Sequence, residues 1–397
     1  MSNCNEIIQA VEQVLGQTQR PALLHAPTLA GQCSTYTAEC VETAWVSTAG
    51  AFVTRFEDML CEITGAKHAV AIVNGTCALQ LVLHAIGVGP GDEVLCPTLS
   101  FVATANAVSH CHATPHFIDS DPQTLGLCPD ALRKRLEMAA QRDQEGNLVN
   151  RETGQRIAAV VPMHVFGHPC QIEAIMQVAS DFGLPVIEDA AESLGSFTNQ
   201  QHTGRFGLAG VFSFNGNKIV TCGGGGAIVT EDDDLAATLK HLSTTAKQPH
   251  PWDYIHDAVG YNYRMPNLNA ALGCGQLEYF DELLAAKRSL AHRYRDTLAD
   301  IQGVTWVNEP AKASSNFWLN AVVLEPALTG ERDNLLQGLS DRKIQARPIW
   351  CPLHQLPIYK HAPRGEMTAA ESLGSSVVNL PSSAHLDPAL NPPRTDR

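Results

Sequence analysis

Two kinds of apolar pattern alternate along residues 50–230, and this alternation is the strongest constraint on the fold. Apolar residues at helical spacing, such as Phe52 and Phe56, precede a continuous apolar run over residues 68–73. A second helical pattern follows around residues 78–86, and the same order recurs further along the chain. Strands that alternate with helices form mostly parallel sheets covered by helices on both faces. The sequence therefore predicts an α/β fold.

The later elements of this region carry the same two signals, short apolar runs for strands and helical spacing for helices. The predicted strands are Glu93–Cys96, Pro115–Ile118, Ile157–Val161, Pro185–Glu188, Val211–Phe214 and Ala227–Thr230, and the predicted helices are 101–110, 129–141 and 171–181. Residues 141–156 are polar and charged, which indicates an exposed hairpin or loop.

The pattern changes where the proline-containing stretch 247–251 interrupts the chain. The elements predicted beyond it are a long helix over 267–298, strands at 304–307, 317–324 and 347–350, and a helix near 331–341. We expect a large domain over residues 1–245, with its first 25 or so residues packed on the smaller one. Residues 246–397 should form a smaller α+β domain, with a loosely ordered proline-rich tail after Leu386.

Composition and charge narrow the class of protein. The chain has 397 residues and a formal net charge of −14, whereas a nucleic-acid partner would require a basic face. We see no apolar run of membrane-spanning length, roughly 18 residues, and no signal-peptide pattern at the N-terminus. The 12 cysteines include no C-x-x-C pair. We therefore expect a cytoplasmic protein without a nucleic-acid or membrane partner.

A lysine and an aspartate follow two predicted strands. Lys218 comes after the apolar segment 211–214 and precedes the glycine run 223–226, and Asp189 ends another strand. Ligands of open α/β sheets bind at the carboxyl ends of the strands. A lysine able to form an imine and an aspartate able to keep a pyridine nitrogen protonated are what pyridoxal 5′-phosphate requires. The alternatives are a solvated surface lysine and an aspartate that only caps the next helix.

Other residues at the same strand ends suit the phosphate and the ring. Gly75 and Thr76 open a helix, whose N-terminus favours an anion, and Ser213 adds a hydroxyl. Thr76 and Ser213 could equally be local turn or cap residues. Phe101 could stack on the ring, although a lone phenylalanine is more often part of the core.

A cluster of histidines at residues 110–116 is similar to a metal site at first sight. It lacks a second spaced pair of ligands, and alternate residues along a strand point to opposite faces. We therefore predict no metal site.

With these residues placed, the chain resembles the DegT/DnrJ-type nucleotide-sugar aminotransferases over nearly its whole length. The matching blocks are Asn74–Thr76, Phe166–His168, Glu188–Ser193, Ser213–Lys218 and Gly260–Ala270. The resemblance implies fold type I of the pyridoxal phosphate enzymes, which is the aspartate aminotransferase fold. It also implies that Lys218 is the Schiff-base lysine and Asp189 the partner of the pyridinium.

The resemblance assigns further cofactor contacts. Thr76 and Ser213 would bind the phosphate with the Gly75 backbone, and Phe101 would cover the ring. Glu192 occupies the position where the family usually places Gln or His beside the ring hydroxyl.

Residues that act between subunits or on the substrate are also implied. Asn262 would reach the cofactor phosphate of a neighbouring subunit, which implies a homodimer with shared sites. Arg264 and His354 are candidates for holding anionic groups of the nucleotide sugar or of the amino donor.

Two departures from the common family pattern point to one branch. Many relatives carry His at the position of Asn215 and Glu at the position of Gly224. The form found here resembles the branch that makes 4-amino-4,6-dideoxy-N-acetylglucosamine nucleotides for legionaminic acid or bacillosamine pathways. The expected reaction transfers the amino group of L-glutamate to the C4 ketone of a nucleotide-linked 4-keto-6-deoxy-N-acetylhexosamine.

Two alternative functions remain within the same fold. A pyridoxal phosphate-dependent sugar dehydratase replaces the lysine with histidine, so the presence of Lys218 argues against it. A non-catalytic regulator that binds the cofactor normally adds a DNA-binding module, and the acidic composition disfavours such a module.

Overall fold

The computed structural model describes residues 3–16 and 20–390. In chain order its α-helices are α1 (Asn3–Leu15), α2 (Cys33–Glu42), α3 (Ala51–Thr64), α4 (Gly75–Ala85), α5 (Ala103–His110), α6 (Pro129–Ala139), α7 (Ile172–Phe182), α8 (Asp233–Ser243), α9 (Asn267–Leu277), α10 (Phe280–Leu298), α11 (Arg332–Asp341) and α12 (Thr368–Ser376). The strands are β1 (His68–Ile72), β2 (Asp92–Pro97), β3 (Thr114–Ile118), β4 (Ala140–Arg142), β5 (Leu148–Asn150), β6 (Arg156–Val160), β7 (Ile187–Asp189), β8 (Phe197–Thr198), β9 (Gln201–His202), β10 (Ala209–Ser213), β11 (Gly226–Thr230), β12 (Val304–Trp306), β13 (Ala313–Ser314), β14 (Asn320–Leu324), β15 (Arg347–Pro348) and β16 (Val377–Leu380).

The large sheet has the strand order β1-β11-β10-β7-β6-β2-β3. Hydrogen-bonded ladders join the first four strands and the last three, and parallel bridges from Val160 to Val186 and from Met163 to Asp189 connect β6 to β7. Strand β11 runs antiparallel to both neighbours, whereas the other six run in one direction. The predicted mostly parallel sheet is therefore confirmed, with β4 and β5 as the hairpin expected over residues 141–156.

Most residues in the strands of this sheet are buried, which explains their largely apolar sequence. All residues of β2 and β11 are buried, and the apolar clusters on the sheet include side chains from α4, α5 and α8 on one side and α3 and α9 on the other. Helices on both faces remove water from a parallel sheet, so alternating polar residues are absent from its central strands. The carboxyl ends of these strands are left as the accessible edge.

A second, antiparallel sheet with the order β12-β14-β16-β15 lies in the C-terminal part of the chain. Apolar residues of α1, α10 and α11 form one cluster with β14 and β16, among them Ile7, Tyr294 and Leu335. The N-terminal helix thus packs against C-terminal elements.

The helix predicted over residues 267–298 is wrong as one continuous helix. Tyr279 leaves the helical conformation (φ −109°, ψ 18°), and α9 and α10 are separate. The break has a physical reason, because α9 packs on α2 and α3 whereas α10 packs on α1 and the smaller sheet.

The strand predicted over 317–324 begins only at Asn320. Phe317 adopts a left-handed conformation (φ 46°), and the backbone N–H of Trp318 donates to Asn316 Oδ1 over 2.8 Å, which forms a turn. Of the predicted proline-rich tail, residues 388–390 form a short 3₁₀ turn, and residues 391–397 lie outside the described part.

None of the described helices combines the length and apolar composition needed to cross a bilayer.

Candidate active site

A cavity of about 660 Å³ lies between the carboxyl ends of the large sheet and the edge of the smaller sheet. Sequence-predicted residues that line it are Gly75, Thr76, Phe101, Asp189, Glu192, Ser213 and Lys218. The opposite wall includes Trp318 and Trp350, Arg347 from β15 and Asn379 from β16. The cavity therefore brings together side chains from both sheets.

Lys218 is held inside this cavity. Its Nζ lies 3.3 Å from Glu192 Oε1 and 3.9 Å from the centroid of the Trp318 ring, and its side chain is only 12% exposed. The indole N–H of Trp318 donates to the carbonyl of Asn217 over 2.7 Å, which fixes the ring under the amine. Lys218 is therefore not a solvated surface lysine, and its amine is poised beside a proton acceptor.

Asp189 is the last residue of β7 and is buried. Its Oδ2 accepts a hydrogen bond from the Thr104 hydroxyl (2.7 Å), and its Oδ1 accepts one from the Ala191 N–H (3.2 Å). Burial raises the pKa of the Asp189 carboxyl, and these two bonds and the charge of Lys218 oppose the rise. Such a carboxylate would be stabilised by a cationic group placed against it.

Thr104 was missed by the sequence analysis. It lies on α5, which begins six residues after β2 ends, and its hydroxyl also contacts Ser100 Oγ over 2.7 Å. A threonine in the first turn of a helix is usually read as a local cap, so only the fold reveals that it orients Asp189.

Glu192 provides a second buried carboxyl group, next to Lys218. Its Oε2 accepts from the Phe166 N–H over 2.9 Å, and its Oε1 faces Lys218. Burial raises the pKa of Glu192 to about 7, although the nearby Lys218 charge and the Phe166 bond lower it. A carboxyl that titrates near neutrality can exchange a proton with Lys218.

This pKa predicts a pH dependence of stability in the cofactor-free protein. The folded state keeps a proton on Glu192 up to about pH 7, whereas the ordinary value is 4.5, so the unfolded chain releases that proton first. Glu192 should therefore lower the free energy of unfolding by about 3 kcal/mol as the pH rises from 4.5 to 7. Urea unfolding at pH 5 and pH 8 measures the loss, which Glu192→Gln should remove. An unchanged pH dependence in that variant would contradict the assignment.

The N-terminus of α4 forms an anion-binding corner. The first N–H groups of a helix have no partner within it, and Asn74 Oδ1 accepts only the one from Cys77 (2.8 Å). The backbone comes close to its neighbours here, because a Cβ on Gly75 would lie 3.2 Å from Ser213 Cβ and one on Gly226 2.4 Å from Asn74 C. These glycines let two strand ends and a helix start converge on one phosphate-sized corner.

Phe101 lies at the mouth of the cavity. Its side chain is 51% exposed, and its ring centroid is 6.3 Å from that of Trp350. Phe101 is therefore not a core residue, and its ring is accessible to a planar ligand.

Three predicted residues do not line the cavity. Asn262 is exposed and forms an isolated antiparallel β-bridge with Thr244. The backbone of Arg264 forms a similar bridge with Ile72. His354 is buried, with Nδ1 2.7 Å from Thr98 Oγ1 and Nε2 3.1 Å from Glu371 Oε1. Both ring nitrogens therefore have hydrogen-bond partners within the protein. None of the three is among the residues that line the cavity of this chain, so their ligand contacts stay predictions.

The histidine cluster also has structural roles. His116 Nδ1 lies 2.7 Å from Glu93, and Arg135 donates to His116 Nε2 over 2.8 Å. Among the residues of the described ranges, no three His, Cys, Asp or Glu side chains are arranged to hold a metal ion.

The cavity fits a planar cofactor with three chemically different ends. The helix corner suits a phosphate, the buried Asp189 suits a protonated ring nitrogen, and the Lys218 amine suits an aldehyde. All three groups border the same space, so one ligand could satisfy them together.

A family model for the DegT/DnrJ/EryC1/StrS aminotransferase family matches residues 28–390. The chain is 39% identical to GDP-perosamine synthase of Caulobacter vibrioides over 365 residues, which cover 92% of this chain and 94% of that protein.

Solved structures show the same likeness. Aminotransferase TlmJ from Streptoalloteichus hindustanus superposes with a TM-score of 0.83 at 28% identity and covers 93% of this chain and 95% of its own. DesI, solved in the presence of its TDP-sugar product, gives a TM-score of 0.81 at 31% identity. The match covers 91% of this chain and 88% of the DesI chain. These structures share fold type I of the pyridoxal phosphate enzymes, which agrees with the predicted fold class.

Proposed function

Because the chain belongs to the DegT/DnrJ/EryC1/StrS aminotransferase family, we propose that it moves the amino group of L-glutamate to the C4 ketone of a nucleotide-linked 4-keto-6-deoxy-N-acetylhexosamine. The chain is a pyridoxal phosphate-dependent aminotransferase. The proposed product is a 4-amino-4,6-dideoxy sugar nucleotide. GDP-perosamine synthase and DesI with its TDP-sugar product are the relatives that support a sugar substrate.

One observation carries the proposal. The Lys218 amine, the buried Asp189 carboxyl and the N-terminus of α4 border a single cavity. When bound, pyridoxal phosphate supplies an electron sink for the charge left when a proton leaves the substrate carbon. The other requirements, orientation and proton transfer, fall to side chains of this chain.

Each residue has a proposed task. Lys218 would hold the cofactor covalently and, once released, move a proton to or from the reacting carbon; at C4 this transfer sets the configuration of the new amine. Asp189 would keep a proton on the ring nitrogen, and Glu192 would lie beside the ring hydroxyl and accept a proton from Lys218. The Gly75 backbone with Thr76 and Ser213 would bind the phosphate, while Phe101 would cover the ring.

The choice of an N-acetylated sugar rests on the resemblance of the segment around Asn215 and Gly224 to the legionaminic acid or bacillosamine branch. A Cβ at Gly224 would meet no atom within 4 Å. The Cβ atom of the glutamate found in other branches could therefore be accommodated here. Steric crowding at the Cβ does not require glycine at position 224.

The direct test is incubation of the purified enzyme with L-glutamate and UDP- or GDP-linked 4-keto-6-deoxy-N-acetylhexosamines. NMR of the product should show a primary amine at C4, with 2-oxoglutarate formed in equal amount. Loss of water from the sugar without amine incorporation would favour the dehydratase, and absence of any turnover would favour the regulator.

A homodimer with shared sites is the proposed assembly. The segment 252–259, called the apolar patch, exposes three large apolar side chains within eight residues, Trp252 (76%), Tyr254 (80%) and Val259 (84%). Asn262 follows this patch and is itself exposed. Packing of the patch on a second copy would carry Asn262 towards the partner's cofactor phosphate.

Replacing both Trp252 and Tyr254 with serine should convert the dimer to a monomer and weaken retention of the cofactor. An aromatic hot spot at the centre of an interface contributes about 2 kcal/mol or more, and a symmetric dimer loses both residues from each subunit. The loss of about 8 kcal/mol predicts a dissociation constant raised by roughly 10⁵- to 10⁶-fold. Light scattering after size-exclusion chromatography measures the mass. Met138→Ser, at an exposed apolar residue on α6, is the matched control and should leave the mass unchanged. A double variant that remains dimeric would refute the assignment of this patch.

A further inference from the structure

Arg347 and Asn379 stand side by side on the wall of the cavity opposite Asp189. They are directly paired in the antiparallel ladder of β15 and β16, so their side chains project from the same face of the smaller sheet. Both line the cavity. The fold therefore presents a guanidinium and an amide together to any ligand held there.

Both side chains lack partners within the described ranges. The exposed Arg347 guanidinium makes no hydrogen bond or ion pair to any described residue, whereas Arg156, Arg288 and Arg332 are each paired with an acid. Asn379 is only 3% exposed, and its Oδ1 is buried without a hydrogen-bond partner. The Oδ1 atom is an acceptor and would be satisfied by an N–H or O–H group of a ligand, whereas the NH2 group of Asn379 can donate to an anionic group.

The charges around the cavity give the sign of that ligand. The carboxylates of Asp189 and Glu192 lie on the opposite wall, where Lys218 contacts Glu192. Among the described lining residues, Arg347 is thus a permanent positive charge with no acid against it. It would attract an anionic group.

We propose that Arg347 and Asn379 bind one carboxylate of the amino donor and so select a dicarboxylic amino acid. This inference rests on the proposed aminotransferase function and assigns its donor subsite. It also replaces Arg264 and His354, which do not line the cavity, as the groups expected to hold an anion of the donor.

A carboxylate suits this pair better than the diphosphate of the sugar nucleotide. The planar guanidinium can donate two parallel N–H bonds to a carboxylate, and the Asn379 amide can add a third. The amino acid must place its α-carbon beside Lys218, so its carboxylates fall within the cavity. In a hexose, C1 and C4 lie at opposite ends of the ring, so the diphosphate on C1 is directed away from the reacting C4.

The test compares Arg347→Met with the wild type, both loaded with pyridoxal phosphate. We expect the KM for L-glutamate and the Kd for glutarate, a dicarboxylate without an amine, to rise by about 10- to 100-fold. The KM for the keto sugar should change less than about threefold. Isothermal titration calorimetry measures glutarate binding, and steady-state assays with each substrate varied give the two KM values.

Two further variants separate a specific contact from general damage. Arg347→Lys keeps the charge without the planar fork and should recover only part of the affinity. Arg342→Met removes a positive charge from the end of α11, outside the cavity, and should leave all three constants unchanged.

The outcomes distinguish the inference from the function on which it depends. A rise confined to the KM of the keto sugar would assign Arg347 to the diphosphate and overturn the proposal, as would unchanged glutarate binding. If the wild type binds glutarate through Arg347 but aminates no keto sugar, the donor subsite stands and the sugar substrate is wrong.

Discussion

Lys218→Ala should abolish both the visible absorbance band of the loaded enzyme and its turnover. The amine is the only lysine nitrogen among the described residues lining the cavity, so nothing there can replace its covalent bond to the cofactor. Loss of a positioned proton donor and acceptor alone typically costs 10²- to 10⁴-fold in rate. Without the covalent attachment as well, turnover should fall by at least about 10⁴-fold. Absorbance spectra and an assay of 2-oxoglutarate formation measure the two effects.

Two variants make this result specific. Lys218→Arg keeps a positive charge beside Glu192 and over Trp318 but cannot form the covalent bond, so it should also lack the band. Lys134→Ala removes an exposed lysine paired with Glu366 and should behave as the wild type. A Lys218→Ala enzyme with normal turnover would remove the central premise of the proposed mechanism.

The large sheet was predictable because its signals are local. Short apolar runs such as residues 70–72 and 226–230 are buried, and helices follow or precede them at regular intervals. The carboxyl-end rule then placed Asp189, Ser213 and Lys218 near one another from sequence alone, and the cavity does bring them together.

The far wall of the cavity was not predictable in the same way. Trp318 follows a left-handed turn at Phe317, in which the backbone N–H groups of Phe317 and Trp318 donate to Ser315 Oγ and Asn316 Oδ1. No spacing rule relates Trp318 to Lys218. Arg347 and Asn379 lie 32 positions apart and become neighbours only through strand pairing. Such contacts are set by tertiary packing, so a single sequence carries little signal for them.

His354 shows what a family resemblance leaves open. The resemblance makes it a candidate for holding an anion, and in the structure both of its ring nitrogens lie within hydrogen-bond distance of Thr98 or Glu371. Polar residues near a site often stabilise the scaffold, and only their partners reveal which role they have.

The effect expected at Asp189 follows from its burial. In the protein without cofactor, burial raises the pKa of this carboxyl, because its two hydrogen bonds and the charge of Lys218 only partly offset the cost of burying its charge. A protonated ring nitrogen placed against it would supply a closer cation. An opposite charge within about 4–6 Å typically shifts a pKa by 1–3 units, so the carboxylate and the ring proton should stabilise each other by roughly 1.4–4 kcal/mol.

Asp189→Asn should therefore retain the cofactor and the fold but lose roughly 10- to 1000-fold in turnover. The amide preserves the side-chain shape, its oxygen can accept from Ala191, and the Thr104 hydroxyl can rotate to accept from its NH2 group. What it removes is the negative charge that keeps the ring nitrogen protonated. Turnover, the visible spectrum and thermal unfolding separate these effects, with the exposed Asp181→Asn as control. Wild-type turnover in Asp189→Asn would mean that the reaction needs no carboxylate at this position.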